Sequence, residues 1–249
     1  MNLEILPVRT SGAAENMAQD FLMLQRYPRP EAARFRHYEW RGPAFTFGYS
    51  QKIAFVRSQI PSDARDVCRR PTGGGVVDHA DDWTYALVIP RSHALWEGRA
   101  SESYRAVHEC LANALVAQSV PAVVKTVCLP PAGDAGCGPA GVCFQRAELF
   151  DVENSSTGQK IGGAAQKRTK LGLLLQGSVW RPACGKRVDW EIFGEAFVTG
   201  IATLMGADPV YPRLAGMELR GGERPHRPIR FTRMGGTPLN ARQFRSAAS

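Results

Sequence analysis

Residues 69–79 read RRPTGGGVVDH, and residues 160–168 read KIGGAAQKR. The first stretch places three consecutive glycines between a pair of arginines and a histidine. Glycine allows backbone conformations that other residues resist and lets the chain approach a ligand closely. An arginine beside such a run can bind a carboxylate or phosphate through two parallel hydrogen bonds. The second stretch places one lysine just before four small residues. Together the two stretches predict a pocket for an elongated, partly anionic acyl group.

The length and composition predict an ordinary globular catalytic domain. The chain has 249 residues, of which 44% are hydrophobic and 22% are charged. This length suffices for one well-buried domain with a small extension. No apolar run reaches the roughly 18 residues of a membrane span, and the opening MNLEILP lacks the pattern of a secretory signal. We therefore expect a cytoplasmic protein that does not enter a membrane.

The net charge of +8 is concentrated near the C-terminus. Residues 213–249 contain eight arginines against Glu218 and Glu223, a net charge of +6. Because this segment is rich in glycine and proline, we predict a catalytic domain over residues 1–210 and a basic extension over residues 211–249. The extension is either a solvated tail or a docking surface for an acidic protein. No motif supports nucleic-acid binding.

The cysteines form no recognisable metal-binding pattern. No Cys-x-x-Cys pair occurs, and Cys128, Cys137 and Cys143 are separated by nine and six positions, which match no common zinc site. We predict no metal site and expect reduced thiols, as is usual in a cytosolic protein. The six cysteines are Cys68, Cys110, Cys128, Cys137, Cys143 and Cys184.

Hydrophobic periodicity predicts a mixed α+β fold. Apolar residues at helical spacing indicate helices over residues 14–27, from the candidate N-cap Ser101 to Val116, and over residues 188–204. Residues 129–142 form a Gly/Pro-rich loop of the kind that often carries function. Adjacent strand segments with separate helices favour a mixed sheet over a doubly wound one. The predicted strands cover residues 35–40, 44–49, 83–90, 150–153, 160–166 and 171–179.

In this order, the motifs resemble the catalytic domain of the biotin/lipoate protein ligase superfamily, which also contains octanoyltransferases and lipoate-protein ligase A. The resemblance covers about residues 1–205. Each motif is weak alone, whereas the set in register is specific. The motifs are Gly48–Gln51, residues 69–79, Thr84-Tyr85, Ser103-Tyr104, residues 160–166 and Leu175–Ser178.

The resemblance implies a seven-stranded, largely antiparallel sheet flanked by helices, with the acyl chain in an apolar tunnel. Lys160 would place its ammonium against the acyl carbonyl oxygen and stabilise the charge that grows there; the alternative is an exposed strand lysine. His79 would be a general base, a group that orients substrate, or a buried core histidine. Asp78 and Asp82 are interpreted as solvent-facing or turn residues. The implied substrate-binding residues are Arg70, Thr72, Gly73, Gly74, Gly75, His79, Gly162, Gly163, Ala165 and Gln176.

Cys143 determines the implied reaction type. It follows the Gly/Pro-rich loop, precedes Phe144 and stands seventeen positions before Lys160. This resembles the Cys-Phe of cysteine-dependent octanoyltransferases, in which the thiol takes the acyl group as a thioester and a nearby cation lowers its pKa. The rival is Cys184, which resembles the cysteine of another octanoyltransferase branch, although its spacing fits less well. Cys143 and Lys160 are therefore the predicted catalytic residues.

Departures from the family pattern bear on the activity. Gln176 precedes Gly177 where many relatives have His-Gly, and glutamine cannot carry a proton at neutral pH. Only about 45 residues follow the last predicted helix, so we expect no accessory domain of the kind found in self-sufficient lipoate ligases. The glycine-arginine loop of biotin ligases is absent from the sequence. Biotin ligation is therefore not expected.

Three functions follow from these features. The first is a protein-lysine acyltransferase that needs no cofactor and moves an octanoyl or lipoyl group from acyl carrier protein to a lipoyl domain or the glycine-cleavage H protein. The second is a lipoate-protein ligase that forms an acyl-adenylate and needs ATP and Mg²⁺. The third is a non-catalytic acyl-binding relative, which Gln176 makes conceivable. Because the carrier and acceptor domains of this pathway are acidic, the first function predicts salt-sensitive rates.

Overall fold

A computed structural model describes residues 1–27, 29–127, 147–185 and 187–211. The strands are β1 (Asn2–Ile5), β2 (Thr10–Ser11), β3 (Ala33–Trp40), β4 (Ala44–Phe47), β5 (Asp66–Arg69), β6 (Val77–Asp78), β7 (Asp82–Pro90), β8 (Ala122–Val124), β9 (Val152–Asn154), β10 (Lys160–Thr169), β11 (Gly172–Trp180) and β12 (Asp208–Val210). The α-helices are α1 (Ala13–Gln25), α2 (Ile53–Gln59), α3 (Ala94–Glu97), α4 (Ala100–Val116) and α5 (Trp190–Leu204), and Arg181–Cys184 forms a 3₁₀ turn.

The described strands form one large and one small sheet. The large sheet has nine strands in the order β12-β1-β3-β7-β11-β10-β9-β8, with β2 paired to β3. Pairing is antiparallel from β3 through β8 and parallel where β1 meets β12 and β3. The small sheet has the order β5-β4-β6. This confirms the α+β fold with a largely antiparallel sheet. The count of seven strands that the resemblance implies is wrong, because the sheet has nine strands, among them short ones of two or three residues such as β2 and β12.

Strand β7 is buried along its whole length and separates two apolar layers. Trp83, Tyr85 and Leu87 share one core cluster with residues of α4 and α5. Ala86 and Val88 belong to a second cluster with residues of α1. Successive strand side chains point to opposite faces, so one strand contributes to both layers. Helix α1 therefore covers one face of the sheet, and α4 and α5 cover the other.

The three predicted helices correspond to α1, α4 and α5, although the N-cap of α4 differs from the expectation. Helix α4 begins at Ala100, one residue before the predicted cap Ser101. The carboxylate of Glu102 accepts a hydrogen bond of 2.9 Å from the backbone N–H of Arg99 instead, because a glutamate in the first turn can reach back to that donor. In α5, Asp189 caps two backbone N–H groups of the first turn.

Within the described ranges, no helix combines the length and the apolar character that crossing a bilayer requires. Residues 212–249, which make up nearly all of the predicted basic extension, lie outside the described residues. The boundary between residues 210 and 211 stays a prediction.

Candidate active site

A pocket of about 490 Å³, part of it open to solvent, lies between the α1 side of the large sheet and the small sheet. Tyr38, Thr84, Ser178 and Gly163 are consecutive neighbours across β3, β7, β11 and β10, and they form one row of its floor. Because cross-strand neighbours share a face, one face of four strands supplies the pocket. The other lining residues are Met17, Thr46, Arg70, Gly74, Val77, His79, Lys160, Ala164, Ala165, Gln176 and Gly177.

Lys160 lies in the pocket wall and is paired with an acid. Only 8% of the residue is exposed, so the alternative of an exposed strand lysine is wrong. Its Nζ lies 2.7 Å from Oδ2 of Asp151, which is also buried. Asp151 accepts further hydrogen bonds from the hydroxyl of Tyr104 (2.6 Å) and the backbone N–H of Glu148 (2.6 Å). The carboxylate therefore holds the ammonium at a fixed place in the wall.

Gly163 explains why small residues follow the lysine. A Cβ at this position would lie 2.7 Å from Cε and Nζ of Lys160 and 2.8 Å from Oδ1 of Asp151. Real Cβ atoms essentially never make contacts this short, so the absence of a side chain leaves space for the ion pair. The register of β10 against β9 shifts between Lys160 and Gly162, which places the lysine at an irregular point of the strand.

The glycine run wraps around the guanidinium of Arg70, which donates hydrogen bonds to its backbone. Its Nη2 donates to the carbonyls of Gly73 (3.0 Å) and Gly75 (2.7 Å), and its Nη1 donates to Oγ1 of Thr46 (2.7 Å). Gly74 has a φ of +89°, which favours glycine. A Cβ on Gly48 would lie only 2.0 Å from the Gly74 carbonyl oxygen, so the two loops meet backbone to backbone.

His79 lies in a chain of hydrogen bonds that begins at Arg70. Its Nε2 lies 2.7 Å from Oγ1 of Thr46, and its Nδ1 lies 2.6 Å from Oδ2 of Asp82. An arginine nitrogen only donates, so Thr46 Oγ1 accepts from Arg70 and has its own hydrogen for Nε2. The ring also stacks on Trp40, with centroids 4.0 Å apart.

The interpretation of Asp82 as a turn or solvent-facing residue is wrong. Asp82 is buried at the first position of β7, where the strand enters the core, and it pairs with His79 there. A carboxylate in such a position needs a partner because water cannot solvate it. The interpretation of Asp78 is confirmed, since this side chain is exposed and its Oδ1 accepts from the N–H of Ala80 in the turn.

Gln176 connects the pocket to a buried acid on α1. Its Oε1 accepts from the hydroxyl of Thr72 (2.7 Å), and its Nε2 donates to Oδ2 of Asp20 (2.7 Å). Asp20 also pairs with Arg36 at 2.7 Å and accepts from the hydroxyl of Tyr38. The pKa of Asp20 is raised above its ordinary value, because the effect of burial is larger than the opposing effects of Arg36 and of the hydrogen bond from Gln176.

The other predicted substrate-binding residues occupy three kinds of position. Ala165 lines the pocket. Thr72, Gly73 and Gly75 lie behind the lining, where they bond to Gln176 or Arg70. Gly162 is not among the lining residues: a Cβ there would meet the side chain of Leu111 on α4, on the opposite face of the sheet. Neighbouring residues of β10 point to opposite faces of the sheet, so the structure does not support Gly162 as a substrate-binding residue.

Cys143 lies outside the described residues, as do Cys128 and Cys137. The three described cysteines have free thiols, and burial is the largest cause that raises each pKa. The pKa rises to about 11 for both Cys110 and the rival Cys184, which is fully buried in the core. A thiol in such a place is a poor nucleophile because little of it is thiolate near neutral pH. Within the described ranges, no three His, Cys, Asp or Glu side chains are grouped to hold a metal ion.

Two acidic residues that support the pocket were not among the predicted site residues. Asp151 lies just before β9, and Asp20 faces the sheet from α1 beside Met17 and Leu24. A signal for Asp20 exists in the sequence, since an acid on the apolar face of an amphipathic helix requires a buried partner. Asp151 carries no comparable signal, because its pairing with Lys160 depends on the hairpin of β9 and β10.

Comparisons with known proteins agree with the motif resemblance. Residues 12–181 match the lipoyl protein ligase A/B catalytic domain. The octanoyltransferase LipM of Exiguobacterium sp. is 30% identical over 179 residues, which are 70% of this chain and 64% of that protein. The octanoyltransferase LipM of Symbiobacterium thermophilum is 29% identical over 184 residues, which are 72% and 65% of the two chains. The chain thus spans slightly less than two thirds of the length of these curated relatives.

Solved structures share the fold at low sequence identity. A T. acidophilum protein with bound lipoic acid superposes with a TM-score of 0.63 at 16% identity and covers 87% of this chain and 91% of its own. A lipoate-protein ligase A bound with ATP superposes with a TM-score of 0.61 at 16% identity, over 87% and 90% of the two chains. Since the family match takes in well over half of the sequence and includes both motif stretches, this chain belongs to the lipoyl protein ligase A/B catalytic domain family.

Proposed function

We propose that this chain is a protein-lysine acyltransferase of lipoate metabolism. It moves an octanoyl or lipoyl group from acyl carrier protein to a lipoyl domain or the glycine-cleavage H protein, through a thioester on Cys143. The observation that carries the proposal is the buried ammonium of Lys160, held by Asp151 in the wall of a largely apolar pocket. The two octanoyltransferases named above support this reaction over other chemistry of the family.

Lys160 would stabilise the charge that develops on the acyl oxygen. The Cys143 thiolate attacks the carbonyl carbon of the carrier thioester, the bond to the carrier sulfur breaks, and the carrier leaves as a thiol after taking up a proton. A neutral lysine amine of the acceptor then attacks the Cys143 thioester, the bond to the Cys143 sulfur breaks as the amide forms, and Cys143 is released as a thiol that takes up the proton lost by the amine. Both additions place negative charge on the same oxygen, so one preorganised ammonium serves both steps.

The short separation along the sequence between Cys143 and Glu148 supports this role for Cys143. The N–H of Glu148 is bonded to the Asp151 carboxylate that holds Lys160. Cys143 stands five positions before Glu148 in the sequence, and five residues of extended chain span at most about 18 Å, which supports Cys143 as the nucleophile. The described cysteines are weaker candidates, because the pKa of each is raised by burial.

One observation favours a second candidate, an ATP-dependent lipoate-protein ligase. The structural neighbour solved with ATP has the same fold. In that reaction ATP and Mg²⁺ would supply the activation of the carboxylate as an acyl-adenylate, and Lys160 would stabilise the same oxygen without a thiol. Arg70 and the glycine run would be the candidate phosphate contacts.

Acyl transfer with two donors distinguishes these functions. The protein is incubated with octanoyl carrier protein, or with octanoate, ATP and Mg²⁺, and a lipoyl domain is analysed by intact mass. We expect acylation with the carrier thioester alone. Before acceptor is added, the chain itself should gain about 126 Da, the mass of an octanoyl group that replaces hydrogen on a thiol.

The variant Cys143→Ser should abolish the adduct and the transfer. The matched control is Cys110→Ser, since Cys110 is half-buried on α4 and lies outside the pocket lining. Transfer that requires ATP and survives Cys143→Ser would contradict the thioester route and support the ligase. If no acyl transfer occurs with either donor, the result would support a non-catalytic acyl-binding relative.

A further inference from the structure

A groove beside the pocket shares two of its lining residues. It encloses about 920 Å³, including space open to solvent, and Met17 and Arg70 line both the groove and the pocket. Its outer part is lined by Phe21 of α1, by Tyr49 and by Lys167 of β10. The groove therefore leads from the surface to the place where the acyl group would lie.

Two cations are held in fixed positions in this groove. The exposed Arg69 donates from Nη1 to the carbonyls of Tyr49 and Gln51, both at 2.6 Å, and its guanidinium lies 4.6 Å from the centroid of the Phe47 ring. Nζ of Lys167 lies 5.0 Å from the centroid of the Tyr49 ring. These contacts are with carbonyls and aromatic faces, which leave the positive charges unneutralised.

No acid neutralises these charges in the described part of the chain. The salt bridges found there involve neither Arg69 nor Lys167. No Asp or Glu is among the residues that line the groove. Held cations without a carboxylate partner, in a concave place, are suited to bind a phosphate.

The groove also exposes aromatic surface. Phe21 is 40% exposed and Tyr49 is 64% exposed. Grouped exposed apolar side chains beside polar groups are typical of a ligand-binding groove. The ligand that fits combines an anionic group with an apolar, extended linker.

We propose that this groove binds the 4′-phosphopantetheine arm of the acyl donor, with its phosphate at Arg69 and Lys167 and its linker along Phe21 and Met17. The proposal rests on the proposed function, because a carrier thioester must bring its acyl group into the pocket on such an arm. The thioester end then lies near Arg70, where groove and pocket meet. The phosphate end lies at the cations of the outer part.

Binding of two ligands that differ by one phosphate tests the proposal. The dissociation constants of 4′-phosphopantetheine and of pantetheine are measured by calorimetry with the full chain. We expect wild type to prefer the phosphorylated ligand at least tenfold. Arg69→Gln and Lys167→Gln should each reduce that preference to below threefold, with thermal unfolding as the check that each variant is folded. Lys170→Gln is the matched control, because Lys170 is exposed in the turn after β10, outside the groove lining, and should keep the full preference.

Three results would overturn this assignment. They are equal affinity of wild type for the two ligands, an unchanged preference in both groove variants, or tighter binding of ATP than of 4′-phosphopantetheine at the same two cations. The measurement needs no turnover. Absence of acyl transfer would therefore contradict the proposed function while the binding data still decide on the groove.

Discussion

Nζ of Lys160 lies 2.7 Å from Oδ2 of Asp151, and both side chains are buried at the wall of the pocket. The carboxylate accepts from Tyr104 and Glu148 as well, so three donors share one acid. The ammonium is thereby oriented before any substrate arrives, which is the condition for electrostatic stabilisation without reorganisation. The same contact makes the lysine important for stability, because its loss leaves a buried acid without its cation.

Removing the lysine should affect stability and activity separately. In Lys160→Met, Asp151 remains as an uncompensated buried charge, so the free energy of unfolding should fall by about 3–5 kcal/mol. In Lys160→Met/Asp151→Asn, urea denaturation should show that most of this loss is recovered. Acyl transfer should be abolished in both variants. A double variant that transfers octanoyl groups at the wild-type rate would contradict the role of Lys160.

A methyl group at position 163 should displace the ion pair. In Gly163→Ala, the new Cβ would overlap Lys160 and Asp151, whose flexible side chains can move aside, so the fold should survive. We expect kcat to fall by about 10–100-fold, because displacement of a reacting group by about 1 Å has effects of this size.

Gly162→Ala is the matched control for this glycine. Its Cβ would make contacts of 3.4 Å or longer with Ser178 and Leu111, which are ordinary packing distances. Steady-state kinetics of both variants, with melting temperatures, test the comparison. If Gly163→Ala transfers acyl groups as fast as Gly162→Ala, the steric argument is wrong.

Removing the amide of Gln176 should destabilise the protein in a pH-dependent manner. The pKa of Asp20 is raised in the folded state, so its contribution to stability is largest below the unfolded value and declines as pH rises through the folded value. The hydrogen bond from Gln176 lowers this pKa. Gln176→Leu should therefore raise the pKa further and cost about 1–2 kcal/mol at pH 7, with a smaller loss near pH 3.

Thr72→Val tests the hydrogen bond at Oε1 of Gln176 separately from the one at Nε2. It removes the hydrogen bond to Oε1 of Gln176 and leaves the contact with Asp20 in place. Its cost, about 1 kcal/mol, should not vary with pH. Urea denaturation between pH 3 and pH 7 measures both variants. Equal losses for Gln176→Leu across this range would argue against the coupling to Asp20.

The hydroxyl of Thr46 should contribute to both the stability of the protein and the binding of the acyl donor. Its Oγ1 lies between Arg70 and His79, and the residue is fully buried. Thr46→Val keeps the shape but removes this shared partner, which should cost about 1–3 kcal/mol and raise the KM for the acyl donor as the glycine run loosens. Thr46→Ser should restore both. Thermal unfolding and donor titrations give the two values, and a fully active, fully stable Thr46→Val would show that the chain of hydrogen bonds is dispensable.

Some features of the fold and the pocket were predictable from the sequence, and others were not. The aromatic and branched run of β7 was predicted within one residue, because burial on both faces requires a continuous apolar stretch. Lys160, His79 and Gln176 were predicted at the pocket from motifs and do line it. Gly162 was predicted with them and faces the other side, since neighbouring strand residues alternate. Asp82 was misread because a turn-like context does not reveal which carboxylate enters the core.

The sequence by itself determined the family, the α+β class, the main helices and the residues around the glycine run and the lysine, because these depend on local periodicity and short motifs. Only the tertiary structure decided which acids accompany them. Asp151 reaches Lys160 through a hairpin, and Asp20 reaches Gln176 from a helix more than 150 positions away. Such partners are selected by the desolvation of buried charge, which acts on distances in space and leaves no fixed spacing along the chain.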